Sequence, residues 1–376
     1  MKIANGTASA AIRRNGGGSR LALITGGAGF VGSNLAHRLL AQGRPVMIFD
    51  NLSRPGVEKN LQWLRDTHGN ALRVAIADIR DRDAVCAAVA QAQQVFHFAA
   101  QVAVTTSVVD PLQDFAINVQ GTLNLLEAVR AQKVPPGVVF TSTNKVYGAL
   151  QIELASQGQR YLPTTAAIRE AGIGESQSLD FHSPYGCSKG AADQYVLDYA
   201  RTYGIPAVVF RMSCIYGPHQ FGTEDQGWVA HFLLRALDSQ PITLYGDGKQ
   251  VRDILYIDDL VDAFLLAEQH AAQLAGTAFN IGGGPRNAIS LLDLLDRIES
   301  LHSERPDVRF EAWRIGDQRY YVSDTRRFER ATGWRPRVAA ADGIERLYRW
   351  LIDARDLDRA PRARSVAIAE AARVPS

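Results

Sequence analysis

Residues 21–33 constrain this chain more than any other stretch. The apolar run Leu21-Ala22-Leu23-Ile24-Thr25 passes directly into Gly26-Gly27-Ala28-Gly29-Phe30-Val31-Gly32. The spacing at Gly26, Gly29 and Gly32 is G-x-x-G-x-x-G. The first glycine permits a tight turn, the second lets backbone approach a pyrophosphate, and the third lets the following helix pack closely. A lone glycine pattern also marks an ordinary turn. Here it follows a predicted strand, opens a predicted helix over Phe30–Ala41, and is followed by Asp50 at the end of a second strand, Val46–Asp50. An acid at that point is placed to hold a ribose diol, and the set reads as a dinucleotide-binding βαβ unit. A carboxylate there favours NAD over NADP, whose 2′-phosphate it would repel. Arg54 nearby either softens that preference or is a solvated loop residue.

The alternation continues. Apolar runs at 72–78, 94–99, 138–142 and 207–211 predict further strands, with helices near 81–90, 115–131 and 185–203. Strands alternating with helices over about 200 residues predict a parallel sheet covered on both faces. The fold class expected is α/β: a Rossmann-type doubly wound parallel sheet with a smaller C-terminal α/β substrate-binding region. Residues 160–180 read as a polar surface loop, and 218–226 as another before a helix at 228–238. Thr277–Ile281 reads as a strand, and Ser290 as a helix N-cap with Asp293 at the capping-box position. Residues 20–205, with returning segments near 206–217 and 255–282, are expected to form the cofactor domain. Residues 218–254 and 283–352 are expected to bind substrate. Residues 1–19 read as a disordered lead-in and 353–376 as a flexible tail.

Composition excludes several classes. The 376 residues carry 41 Lys+Arg and 39 Asp+Glu, a formal charge of +2, which argues against a nucleic-acid coat. Three unpatterned cysteines, Cys86, Cys187 and Cys214, argue against a disulfide scaffold and for a reducing cytoplasm. The 8 histidines are scattered, and no metal site is expected. No apolar run approaches the ~18 residues of a membrane span.

The chemistry sits further on. Tyr185-Gly186-Cys187-Ser188-Lys189 contains Y-x-x-x-K. On a helix the two side chains share a face, and an ammonium beside a phenol lowers its pKa toward the operating pH. Thr143, at the C-terminal end of the predicted strand 138–142, projects a hydroxyl into the crevice where such sheets bind ligands. Asp78 ends the strand 72–78 and is either a helix cap or a hydrogen-bond partner for an adenine amine. The small residues after His97, Ala99-Ala100-Gln101, would let backbone lie along a cofactor.

With these motifs in view, the chain resembles the extended short-chain dehydrogenase/reductases of the nucleotide-sugar epimerase/dehydratase family, over about residues 20–350. The resemblance implies an NAD-dependent enzyme with Thr143, Tyr185 and Lys189 as its catalytic triad. It implies tightly bound NAD held by Gly26, Gly29, Phe30, Val31, Gly32, Asp50, Asn51, Ser53, Arg54, Asp78, Ile79, Ala99, Ala100, Gln101 and Asn118, besides Tyr185 and Lys189. The segment Gly246–Asp253 resembles the family's nucleotide-sugar segment. Arg252 is there either a diphosphate ligand or half of a surface ion pair with Asp253.

Family dehydratases carry an Asp-Glu pair directly after the catalytic Thr. Here the positions hold Asn144 and Lys145, so 4,6-dehydration lacks its acid. The stretches 49–54, 142–148, 179–195 and 225–229 resemble the CDP-paratose 2-epimerase branch. That implies inversion at C2 of a nucleotide-activated hexose. Val104, Thr143, Asn144, Lys145, His182, Ser213, Gln226, Arg252 and Arg319 are the expected substrate-binding residues. His182 either adjusts a proton relay or is a loop histidine bonded to backbone, and Trp228 either packs in the core or walls the pocket. The alternatives are a UDP-sugar 4-epimerase with the same triad, and a non-catalytic NAD-sensing protein, against which the complete triad speaks. Expected partners are the nucleotide-diphosphate sugar and a second copy of the chain, through a four-helix interface of 115–131 and 185–203, with neither nucleic acid nor membrane.

Overall fold

The computed structural model describes residues 20–314 and 316–371, with side chains to 355. The 1–19 lead-in lies outside the described residues. In chain order the first half runs β1 (Ala22–Thr25), α1 (Phe30–Ala41), β2 (Val46–Asp50), α2 (Val57–His68), β3 (Leu72–Ile76), α3 (Arg82–Val89), β4 (Gln94–His97), α4 (Val104–Val109), α5 (Pro111–Phe115), α6 (Gly121–Arg130) and β5 (Gly137–Thr143). There follow β6 (Leu154–Gln157), β7 (Arg160–Pro163), α7 (Ala166–Ala171), α8 (Ser183–Tyr203), β8 (Ala207–Met212), β9 (Cys214–Tyr216), α9 (Trp228–Leu237), β10 (Ile242–Tyr245), β11 (Val251–Tyr256), α10 (Ile257–Gln269) and β12 (Thr277–Ile281).

Seven strands form one parallel sheet in the order β12-β8-β5-β4-β1-β2-β3. This is the doubly wound sheet expected. Because the order reverses between β1 and β4, a crevice opens at their C-terminal ends. Side chains alternate between two buried layers. Ile24, Ile48, Phe96 and Phe210 pack in the cluster that includes Leu35, Leu39 and Phe264 of α1 and α10. Leu23, Phe49, Val95 and Val209 pack in the cluster that includes Val85, Leu125 and Val196 of α3, α6 and α8. Each such side chain, fully buried, contributes about 1.5–3 kcal/mol. The two-sided cover is why these strands read as apolar runs and not as alternating ones.

The smaller region is built on β11. It pairs with β9, with Ala288–Ser290 and with Tyr320–Tyr321. Within the returning segment 206–217, β8 therefore joins the large sheet while β9 joins the small one. Ser290 caps Leu291–His302, and the reciprocal bonds with Asp293 complete the capping box.

Four local features differ from expectation. Residues 160–180 are not one loop, because β6 and β7 form a hairpin and α7 follows it. The helix 115–131 is not continuous: α5 ends at Phe115, Ala116–Gln120 form a π-turn, and α6 resumes. Helix α2 adds an element that the expected strands and helices do not include, with Val57, Leu61 and Leu64 as its buried stripe. The last helix, Ala340–Ala371, runs past Asp353 into the segment read as a flexible tail.

Candidate active site

The glycine loop lies at the crevice. Gly26 has φ +68, and a Cβ there would sit 2.7 Å from the Ala99 nitrogen. A Cβ on Gly32 would sit 2.4 Å from the Gly26 carbonyl oxygen, so this glycine packs α1 against its own loop. Gly29 meets only that same oxygen, at 3.1 Å, and leaves its outer side free for a ligand. Helix α1 has no side-chain N-cap, so its first turn, with Phe30 and Val31, is open to phosphate oxygens. A dinucleotide pyrophosphate fits this cradle.

Asp50 accepts hydrogen bonds from the Ala28 N–H at 3.0 Å and the Leu52 N–H at 2.9 Å. Burial nevertheless raises its pKa. Its carboxylate braces the glycine loop and keeps lone pairs for a diol. Arg54 is exposed in the next loop, within electrostatic reach of Asp50. Asp78 is not the helix cap, because Asp81 performs that function for α3. Arg80 takes both oxygens of the Asp78 carboxylate, at 2.8 and 2.9 Å, and Asn51 donates to it at 2.9 Å. Those donors hold its pKa well below the usual range. Asn51 also accepts from the Ser53 N–H, an Asx turn that shapes this exposed loop. Ile79 is buried beneath Gly121, where a Cβ would meet it at 2.7 Å.

Ala99, Ala100 and Gln101 line the exit from β4, half-buried. Asn118 accepts the Gln101 N–H at 2.9 Å and donates to Ser188 Oγ at 3.0 Å. It sits in the π-turn, the irregularity that aims a helical side chain at the crevice.

Helix α8 starts with Pro184 in its first turn and carries Tyr185 and Lys189 one turn apart. Ser107 of α4 accepts the Tyr185 N–H at 3.1 Å. The Thr143 hydroxyl accepts the Lys145 N–H at 3.2 Å, donates to Asn144 Oδ1 at 3.4 Å, and is close enough to the Tyr185 phenol to oppose the rise in its pKa. Lys189 donates to the Thr141 carbonyl at 2.7 Å. The three residues expected as a triad therefore converge, and all are buried. One expectation is corrected. The phenol pKa is pushed up to about 12 by burial, with the Thr143 hydrogen bond opposing. The Lys189 ammonium itself is pushed down to about 7 by desolvation. Burial dominates both shifts, since it penalises the charged form of each group.

Past Thr143 the chain makes a short 3-10 turn, Asn144–Tyr147, capped by the Thr143 hydroxyl. Lys145 donates to the Gly316 carbonyl at 3.0 Å, and its pKa falls to about 8 through burial and the nearby Arg252. Arg252 is buried and donates to the Val251 carbonyl, so the surface ion pair is excluded. Asp253 instead takes the Ser213 hydroxyl and the Gly284 N–H. Gln226 Oε1 and Ser142 Oγ are buried without a partner. Arg319 lies over the Tyr161 and Trp313 rings. Trp228 packs edge-on against Phe232. His182 is exposed and faces Asp180 at 3.1 Å, not backbone. Val104 opens α4, half-buried. Ser107, Ser188 and Gln318 carry no sequence signal, because only tertiary contact brings them here.

Fold and site together define an NAD-dependent enzyme that acts on nucleotide-linked sugars. Residues 22–282 match the NAD dependent epimerase/dehydratase family, and the chain belongs to it. The chain is 46% identical over 338 residues to CDP-paratose 2-epimerase of Salmonella typhi, spanning 87% of this chain and 98% of that protein. It is similar to the UDP-glucose 4-epimerase of Thermus thermophilus solved with NAD: TM-score 0.73, 32% identity, covering 88% and 98% of the two chains. It is also similar to the dTDP-glucose 4,6-dehydratase of Streptomyces venezuelae with NAD bound: TM-score 0.76, 30% identity, covering 90% and 98%.

Proposed function

We propose that the protein inverts C2 of a nucleotide-activated hexose of the CDP-paratose/CDP-tyvelose kind. The observation that carries this reading is the 46% identity to the Salmonella typhi enzyme over 98% of its length. Asn144 and Lys145 support it, since neither supplies the carboxylic acid that the dehydratases of the family carry at these positions.

A hydrogen on a carbon that bears only a hydroxyl is not acidic, so inversion needs transient oxidation. NAD, when bound, supplies that chemistry by accepting a hydride from the sugar carbon and returning it. Tyr185 acts in its phenolate form, which the burial-raised phenol reaches only with positive charge beside it; it takes the hydroxyl proton and gives it back after the ketone has presented its other face. Thr143 hydrogen-bonds the same oxygen, and Lys189 places positive charge behind Tyr185. The cycle is redox-neutral, so NAD stays in place. Gly26, Gly29, Gly32, Phe30 and Val31 would hold its pyrophosphate, and Asp50 its ribose. Arg252 would meet the substrate diphosphate. Val104, Asn144, Lys145, His182, Ser213, Gln226 and Arg319 would complete the substrate side, formed by 218–254 and 283–352 against the 20–205 domain.

We further read the chain as a cytoplasmic homodimer. Its three cysteines are free, and among the described residues no helix is long and apolar enough to cross a membrane. Val109, Leu112 and Phe115 expose 86%, 80% and 56% of their surface beside α8, which suits a helical interface. The second reading, a UDP-sugar 4-epimerase, rests on the Thermus thermophilus similarity. Incubation with CDP- and UDP-hexoses, locating the inverted carbon by NMR, separates the two. Inversion at C2 of a CDP-sugar is expected, and inversion at C4 of a UDP-sugar alone overturns the reading.

A further inference from the structure

We infer that Gln318 is a positioning residue that sets the turn carrying Thr143. Its side chain is buried, 1% exposed, between Gly316 and the strand Tyr320–Tyr321. Its Nε2 donates to the Gly148 carbonyl at 2.5 Å, and its Oε1 accepts from Asn144 Nδ2 at 3.3 Å. Asn144 begins the 3-10 turn and Gly148 follows its end. One amide therefore grips both ends of the turn. Neighbouring residues add to the grip: Gly316 accepts from Lys145, and the Gln318 carbonyl accepts from Arg252.

The grip bears on chemistry because Thr143 is the residue at the head of this turn. Its hydroxyl accepts the Lys145 N–H at 3.2 Å and donates at 3.4 Å to Oδ1 of Asn144, the same amide whose Nδ2 Gln318 holds. A turn that shifts carries Thr143 away from Tyr185, and a displacement of about 1 Å at a reacting centre costs about 10²-fold in rate. Only a side chain with one donor and one acceptor end satisfies Gly148 and Asn144 together. A Glu would set a carboxylate against the Gly148 carbonyl, and a Met would leave both groups unpaired in a buried place. The contact of Arg252 with the Gln318 carbonyl joins the proposed diphosphate seat to the same residue. The inference rests on the reading that Thr143 and Tyr185 act on the sugar oxygen, and not on which carbon is inverted.

The test uses NAD-loaded enzyme and whichever nucleotide sugar the wild type turns over. Gln318→Met is expected to lower kcat by about 10- to 100-fold with KM within about threefold and the NAD content unchanged. Adding Asn144→Ala to Gln318→Met should cost several-fold less than Asn144→Ala costs in the wild type, because the two side chains act as a unit. A kcat within about twofold of wild type, a change confined to KM, or multiplicative effects of the two substitutions would overturn it. Should Gln318→Met fail to fold, the exchanged pair Asn144→Gln with Gln318→Asn restores a donor and an acceptor. Recovery of kcat above either single variant supports the inference, and its absence overturns it. Inversion at a carbon other than C2 defeats the proposed function and leaves this test intact.

Discussion

Lys189 Nζ lies 2.7 Å from the Thr141 carbonyl oxygen and 4.3 Å from the centre of the Phe140 ring. Strand β5 thus holds the ammonium from below, one helical turn after Tyr185. The contact fixes where the positive charge sits relative to the phenol.

Lys189→Met should therefore lower kcat by about 10²- to 10⁴-fold. Burial already pushes the Tyr185 phenol up to about 12. Stability shifts as well. The folded lysine titrates at about 7 against an ordinary 10.5. Between those values the unfolded chain holds the proton more tightly, so wild-type stability rises with pH relative to the Met variant. Urea unfolding of both proteins from pH 6 to 10 measures it.

His97 predicts an acid-sensitive core. Its ring bridges Thr25 Oγ1 at 2.7 Å and Thr122 Oγ1 at 3.1 Å, tying β4 to β1 and α6. Burial and Lys189 push its pKa down to about 3. The unfolded ring protonates near 6.5, so this contribution is full above that pH and is lost as pH falls toward 3. His97→Asn should start less stable and show a flatter dependence of the urea midpoint between pH 4 and 7. An unchanged slope would assign the sensitivity elsewhere.

Arg211 donates to both oxygens of Asp193 at 2.9 Å, and the pair is almost fully buried. Arg211→Met strands a buried carboxylate and should cost about 3–5 kcal/mol in denaturant unfolding. Arg211→Met with Asp193→Asn should recover part of that loss. A double variant as unstable as the sum of the singles contradicts the pairing.

Gly32→Ala should abolish NAD retention, because the added carbon meets backbone at 2.4 Å and the loop must open. Nucleotide released on denaturing the purified protein, measured per chain, reads this directly. Retention of a full equivalent would argue that the cradle tolerates a shift.

Much of this was legible in the chain because it is encoded locally. The glycine spacing, the apolar runs of β2 and β12, and the Ser290–Asp293 capping box each depend on neighbours in sequence. So does the Tyr185–Lys189 face. The π-turn at Ala116–Gln120 was hidden because an extra residue in a helix leaves the apolar stripe of α6 unchanged. The β6–β7 hairpin was hidden by its mixed, half-exposed residues. Gln318 carried no signal, since its partners Asn144 and Gly148 lie 174 and 170 residues away. The direction of the Tyr185 shift was misread because pattern gives proximity of charge but not the depth of burial that opposes it.

Direct hydride removal and return at C2 is open to an isotope test. Wild-type enzyme is given a CDP-activated 3,6-dideoxyhexose deuterated at C2, and the product is followed by NMR. Inversion at C2 with the deuterium retained on that carbon and no added NAD consumed is expected. Deuterium washed out to solvent, or inversion at another carbon, would contradict it.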